Sequence, residues 1–175
     1  LNCEEEEIIF DSNSGELRVR KRGSWYVMDF PAARLEREAP PLDLYHALGG
    51  ALADEVYKGD DFLWVLEKEE DVRNIEPDFR LLEQVDTRGV IVTAPGEEVD
   101  FVSRFFAPSV GIDEDPVTGS AHTMLTPYWA ERLNKETLTA RQISKRGGEL
   151  KCRMNKNRVE IGGQAQTYLT GTIRI

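Results

Sequence analysis

Cysteine is scarce in this sequence. Its two copies, Cys3 and Cys152, lie far apart, which argues against a disulfide framework and sets a reducing, cytoplasmic environment as the expectation. Histidine is equally scarce. His46 and His122 stand with no acidic residues at ligand spacing, so no metal centre is expected. No apolar run approaches the roughly 18 residues of a membrane-spanning helix. Positive charge is also in deficit: 22 Lys and Arg against 32 Asp and Glu leave a net charge of −10. Binding to nucleic acid or to an anionic membrane rests on clustered cations, so neither partner is expected. No glycine-rich nucleotide loop with its lysine occurs.

What remains is a globular composition, 40% hydrophobic and 31% charged over 175 residues, enough for one large domain or two small ones. Strands are expected at 8–10, 17–20 and 26–30, with turns at 11–15 and 23–24. A short helix is expected at 42–48 and another at 77–84. Further strands are expected at 62–66, 89–93, 101–107, 140–144, 150–154, 158–161 and 167–173. Between them, Ala121, Met124, Leu125, Tyr128 and Trp129 fall at i, i+3, i+4, i+7 and i+8, the stripe of an amphipathic helix reaching Leu133. Pro127 lies inside that stripe and should kink it or force a local adjustment.

Directly before this helix runs Glu114-Asp115-Pro116-Val117-Thr118-Gly119-Ser120-Ala121-His122. Thr118 or Ser120 is expected to cap the helix, and Gly119 lets the backbone approach a ligand. Amides left over at a helix N-terminus favour an anion, and Asp115 beside them could handle a proton. An Asp-Pro turn with a cap is also an ordinary way to begin a helix. The density of polar residues favours a site, because a cap needs only one of them. His122 is expected to be a partly exposed residue of the first turn, with a proton shuttle as the alternative. His46 is expected on the surface.

A repeat runs through the chain. Gly15-Glu16-Leu17-Arg18-Val19-Arg20 matches Gly148-Glu149-Leu150-Lys151-Cys152-Arg153 at an offset of 133. At that offset Phe10 aligns with Ile143, and Tyr26 and Met28 align with Val159 and Ile161. The helix motif has no counterpart in the first copy. The expectation is therefore a tail of one half (1–38), a connector (39–60) and a nearly whole second half with its central helix (61–175).

Several segments together carry a resemblance. They are Arg104-Phe105-Phe106-Ala107-Pro108, the nine-residue motif, Tyr128-Trp129, Ser144 with Arg146-Gly147-Gly148-Glu149-Leu150, and Arg158-Val159-Glu160-Ile161-Gly162-Gly163. With Ser14-Gly15-Glu16-Leu17 and Met28-Asp29-Phe30-Pro31, they resemble the PhzF-like family of phenazine biosynthesis, related in fold to diaminopimelate epimerase. The resemblance implies an α+β fold of two pseudo-symmetric halves, each a curved sheet around a central helix, with the site between them and the first half incomplete here. It implies a cofactor-independent isomerase or epimerase that moves a proton within a small carboxylate-bearing substrate. The catalytic roles fall on Asp115 and Ser120, and substrate contacts on Thr118, Gly119 and Ala121.

One departure stands beside the resemblance. The family's principal acid/base glutamate, in an Asn-x-Ser-Glu-Thr-type motif, and its Gly-His-Ala-Thr motif are both absent from these residues. The chain is therefore expected to correspond to the C-terminal two-thirds of a member. Its partner would be a missing N-terminal segment, a second chain or a homodimer mate. A catalytically silent anion-binding or regulatory protein of the same fold is the alternative function.

Overall fold

The computed structural model describes residues 7–12 and 15–172; Cys3 and most of the acid run at 4–7 fall outside them. In chain order the strands are β1 (Glu7–Ser12), β2 (Gly15–Arg22), β3 (Trp25–Pro31), β4 (Glu36–Arg37), β5 (Glu55–Lys58), β6 (Phe62–Val65), β7 (Val90–Pro95), β8 (Phe101–Phe106), β9 (Thr137–Gln142), β10 (Gly148–Asn155) and β11 (Arg158–Gly163). The helices are α1 (Leu42–Ala47), α2 (Glu69–Asn74), α3 (Phe79–Leu82) and α4 (His122–Leu133). All the strands join one mixed sheet, in the order β1-β2-β3-β11-β10-β9-β8-β7-β6-β5-β4. Only the β6–β7 and β8–β9 pairs are parallel. The fold is α+β.

The sheet wraps around α4. Leu63, Ile91, Phe101, Leu138, Leu150 and Val159, on six successive strands, share one core with Met124, Leu125, Tyr128 and Trp129. Six strands laid flat would span roughly 25 Å, far wider than a helix of about 10 Å, so they reach one helix only by curling. Every residue of the expected stripe is buried. The opposite face of β5–β8 carries a second core, in which Trp64, Val92, Val102 and Phe106 meet Leu44, Val72 and Leu82 of α1–α3 and Leu48 just after α1. Phe62-Leu63-Trp64-Val65 reads as an unbroken apolar run because both of its faces are covered.

Pro127 does not break α4. A proline has no N–H to offer the carbonyl four residues earlier, here that of Thr123. That carbonyl accepts instead from the Ala33 N–H at 3.0 Å, and the Ala32 N–H donates to Asn157 at 2.9 Å. The acceptor released by the proline thus ties the segment after β3 onto α4.

The repeat is structural as well. Val19 faces Met28 across β2–β3 as Cys152 faces Ile161 across β10–β11. The two copies meet through equivalent strands, with Met28 opposite Ile161 in the β3–β11 pair, so a pseudo-dyad passes through these two residues. The expected match of Phe10 with Ile143 is corrected. Phe10 faces Leu17 as Ala140 faces Leu150, because five residues separate β9 from β10 whereas two separate β1 from β2.

Other elements depart from expectation. The sequence showed no signal for β4, β5 or α2. The helix expected at 77–84 shrinks to α3. The expected strand at 167–173 is absent over its described residues, where Tyr168 and Leu169 are exposed. The edge of β11 that it would need is taken by β3.

On β1–β3, Ile8, Phe10, Leu17, Val19, Tyr26, Met28 and Phe30 share the sheet face that α4 covers farther along. Phe30 packs on the α4 core. Ile8, Phe10 and Tyr26 stay exposed, and no helix among the described residues covers them.

Candidate functional site

The nine-residue motif links β8 to α4, and each end is anchored. Arg104, on β8, forks onto Glu114 through Nε at 2.7 Å and Nη2 at 3.1 Å, while its Nη1 donates to the Ile75 carbonyl at 2.7 Å and the Val72 carbonyl at 3.2 Å. The guanidinium therefore joins the motif to the end of α2. The Asp115 N–H donates to the Phe105 carbonyl at 3.0 Å. Arg104→Lys is expected to lower stability by about 1–2 kcal/mol, since an ammonium cannot reproduce the fork. Urea unfolding checks this, and an unchanged midpoint would show that the fork contributes nothing.

The centre of the motif is clamped by two fully buried side chains, Gln142 and His122. Gln142 Oε1 accepts from the Thr118 N–H at 2.8 Å, and its Nε2 donates to the Asp115 carbonyl at 2.6 Å and to Thr118 Oγ1 at 3.2 Å. His122 Nδ1 lies 2.8 Å from the Thr118 carbonyl and is the donor of that bond. Thr118 Oγ1 donates to Asp115 Oδ2 at 2.6 Å. On the outer side, Ser144 Oγ donates to the Pro116 carbonyl at 2.8 Å. A side chain at Gly148 would come within 2.5 Å of Val117, so β10 approaches the motif as closely as only glycine permits.

The amides that follow are not consumed. Those of Gly119, Ser120 and Ala121 have no acceptor among the described residues. The expected cap is corrected: α4 begins after Ala121 with no side-chain cap. Thr118 Oγ1 is directed back to Asp115, and the Ser120 carbonyl, not its hydroxyl, bonds Thr123 Oγ1 at 2.7 Å. Three orphan N–H groups thus adjoin the positive end of a 12-residue helix. Gly119 adjoins the pseudo-dyad, since a methyl group there would lie 3.7 Å from Met28 Cε. On the other side, Arg88 Nη2 lies 3.3 Å from Ser120 Oγ.

His122 overturns its expectation of partial exposure. It is wholly buried, 5.9 Å from the Phe101 ring. Burial pushes its pKa down to about 4, so it is neutral at pH 7 and positions the backbone rather than exchanging protons with solvent. His46 is exposed as expected. Cys152 is buried in β10, which raises its thiol to about 12.

The five residues expected to form the site thus lie in one continuous turn. Sequence reasoning missed Gln142, although Leu138, Ala140 and Gln142 alternate as buried positions, and a polar residue in an apolar register was a usable signal. It also missed Arg88 and its partner Asp61. A cavity of about 770 Å³ beside α1 and α2 is lined by no motif residue. A depression of about 430 Å³ lies between the motif, at Glu114 and Pro116, and the turn at Ser144. No helix among the described residues is long and apolar enough to cross a membrane.

Comparison with known proteins agrees with this architecture. The family described as phenazine biosynthesis-like protein matches residues 1–171. An uncharacterized isomerase of Pseudomonas aeruginosa is 51% identical over 170 residues, covering 97% of this chain and 65% of the relative. An uncharacterized isomerase of Halalkalibacterium halodurans is 46% identical, covering 94% of this chain and 63% of the relative. The chain therefore spans somewhat under two thirds of the length of these curated relatives. A solved PhzF-family protein of Enterococcus faecalis superposes with a TM-score of 0.92 at 47% identity, covering 99% of this chain and 67% of that one. A predicted epimerase of Pseudomonas aeruginosa, with a TM-score of 0.62 and 18% identity, shares the fold. By its sequence, its doubled meander and its central helix, the chain belongs to the phenazine biosynthesis-like, PhzF family.

Proposed function

We propose that this chain supplies one wall of the active site of a cofactor-independent isomerase, of the epimerase or proton-shift type, acting on a small carboxylate-bearing metabolite. The observation that carries the proposal is the run of three unpaired amides at Gly119, Ser120 and Ala121, held in place by the buried clamp on Thr118. Such fixed dipoles receive a carboxylate, or the enolate-like charge that develops when a neighbouring C–H is lost, with little reorganisation. Thr118 orients Asp115, Ser120 adds a hydroxyl donor, and Asp115 takes part in the proton movement.

The exposed apolar face at Ile8, Phe10 and Tyr26 would be covered by a further segment, a second chain or a symmetry mate, which would complete the site from the other half. The test is incubation of the full-length protein in D₂O with small carboxylic acids that carry an acidic C–H. Deuterium incorporation into one of them supports the proposal, and none across the panel argues against it. One observation favours the alternative, a silent anion-binding protein: both carboxylates of the motif are engaged, Glu114 by Arg104 and Asp115 by Thr118. Binding of a carboxylate without exchange would decide for that reading.

A further inference from the structure

Asp61 is a carboxylate only 1% exposed. Its side chain binds Arg88, through Nε at 2.9 Å and through Nη2, and has no other partner among the described residues. The Arg88 side chain is 44% exposed, so the buried carboxylate fixes a guanidinium that still reaches solvent. The carboxylate takes the side-on edge of the guanidinium, formed by Nε–H and one N–H of Nη2. The second N–H of Nη2 lies on the end-on edge, and it is this one that faces Ser120 Oγ at 3.3 Å. A guanidinium can fork onto a carboxylate or phosphate from this edge as well. The backbone at Arg88 is also held: the carbonyls of Thr87 and Arg88, both 3.0 Å from Ser109 Oγ, share its one hydroxyl proton.

Charge gives this arrangement its meaning. A chain of net charge −10 repels anions at long range, so an anion site needs a local cation. Arg104 is consumed by Glu114 and by backbone carbonyls. Lys145 and Arg146 are exposed on the turn outside the motif. Among the described residues, Arg88 alone is both anchored by a buried carboxylate and in contact with a motif residue that carries an unpaired amide.

We infer that Arg88, aimed by Asp61, is a specificity-determining residue of the proposed site, where its end-on edge and the Ser120 hydroxyl select a substrate bearing an anionic group. Because Ser120 Oγ accepts from Arg88, its own proton is left to donate to that group. The inference rests on the proposed anion site, and the test separates the two.

In the full-length protein, the backbone amide signals of Gly119 and Ser120 are followed by NMR while sodium malonate is added. Arg88→Met is expected to weaken malonate about tenfold, and Arg88→Lys, which keeps the charge without the fork, about threefold. Asp61→Asn is expected to weaken it as Arg88→Met does. Arg88→Met strands a buried charge, so the double variant Asp61→Leu/Arg88→Met serves as the control for folding. It should recover the melting temperature and not the affinity. Recovery of affinity by the double variant, or an unchanged Kd in Arg88→Met, would overturn the inference while leaving the amide site in place. Silence of both amides in the unmodified protein would remove the site and the inference together.

Discussion

In the full-length protein, Ser120→Ala and Asp115→Asn are each expected to lower the proposed isomerase turnover by about 10²–10³-fold, roughly 3–4 kcal/mol: the first removes a pre-organised donor, the second the carboxylate proposed to take part in the proton movement. Stability should move far less. Ser120 is exposed, and among the described residues its hydroxyl takes only the 3.3 Å bond from Arg88. Because α4 starts after Ala121 without a side-chain cap, alanine at 120 forfeits none of the roughly 0.5–2 kcal/mol that a capping hydroxyl supplies. Asparagine at 115 keeps an oxygen for Thr118 Oγ1, and its cost should stay within about 1 kcal/mol. The check is turnover measured beside urea unfolding. Matching losses of activity and stability would assign both residues to the turn rather than to chemistry.

Much of this architecture was legible because it follows from periodicity. The five residues of the α4 stripe are all buried, since a 3.6-residue period leaves one apolar face to cover. The match of Gly15–Arg20 with Gly148–Arg153 anticipated a shared register, because strand pairing preserves alternation. What stayed hidden depends on contacts between distant segments. β4 has two residues, and its pairing with β5 is set by the sheet edge rather than by its own sequence. α2 is a single short turn region whose sequence, Glu69-Glu70-Asp71, reads as a charge run, yet Val72 anchors it in the outer core.

The site divided in the same way. The turn motif was visible as a string of polar residues, while its clamp was not. Gln142 lies 24 residues from Thr118 and Arg88 lies 32 residues from Ser120, so neither pairing leaves a local trace. His122 did leave one: with Leu125 and Trp129 it falls at i, i+3 and i+7, on the buried side of the helix. Weighing it as a polar first-turn residue hid that signal.

The burial of His122 makes a pH prediction with a definite sign. An imidazole in the unfolded chain titrates near 6.5, whereas in the fold burial holds it down to about 4. Between those values the unfolded chain binds the extra proton and the folded chain does not, so stability falls as pH falls through this window. The stabilisation is fully present above pH 6.5 and is lost on the way down to about 4. A shift of this size corresponds to about 3 kcal/mol. Carboxylates titrate toward the lower end of the same window, so the measurement must be a difference between two proteins. His122→Asn is the suitable partner, because its amide nitrogen can occupy the place of Nδ1 and still donate to the Thr118 carbonyl, but it does not titrate. Urea unfolding of both proteins from pH 7 to pH 4 should show the unmodified protein losing about 3 kcal/mol more than the variant. The difference should develop mainly below pH 6.5. Parallel curves would mean that the imidazole is protonated as readily in the fold as in water, and the account of a neutral histidine holding the Thr118 carbonyl would fail.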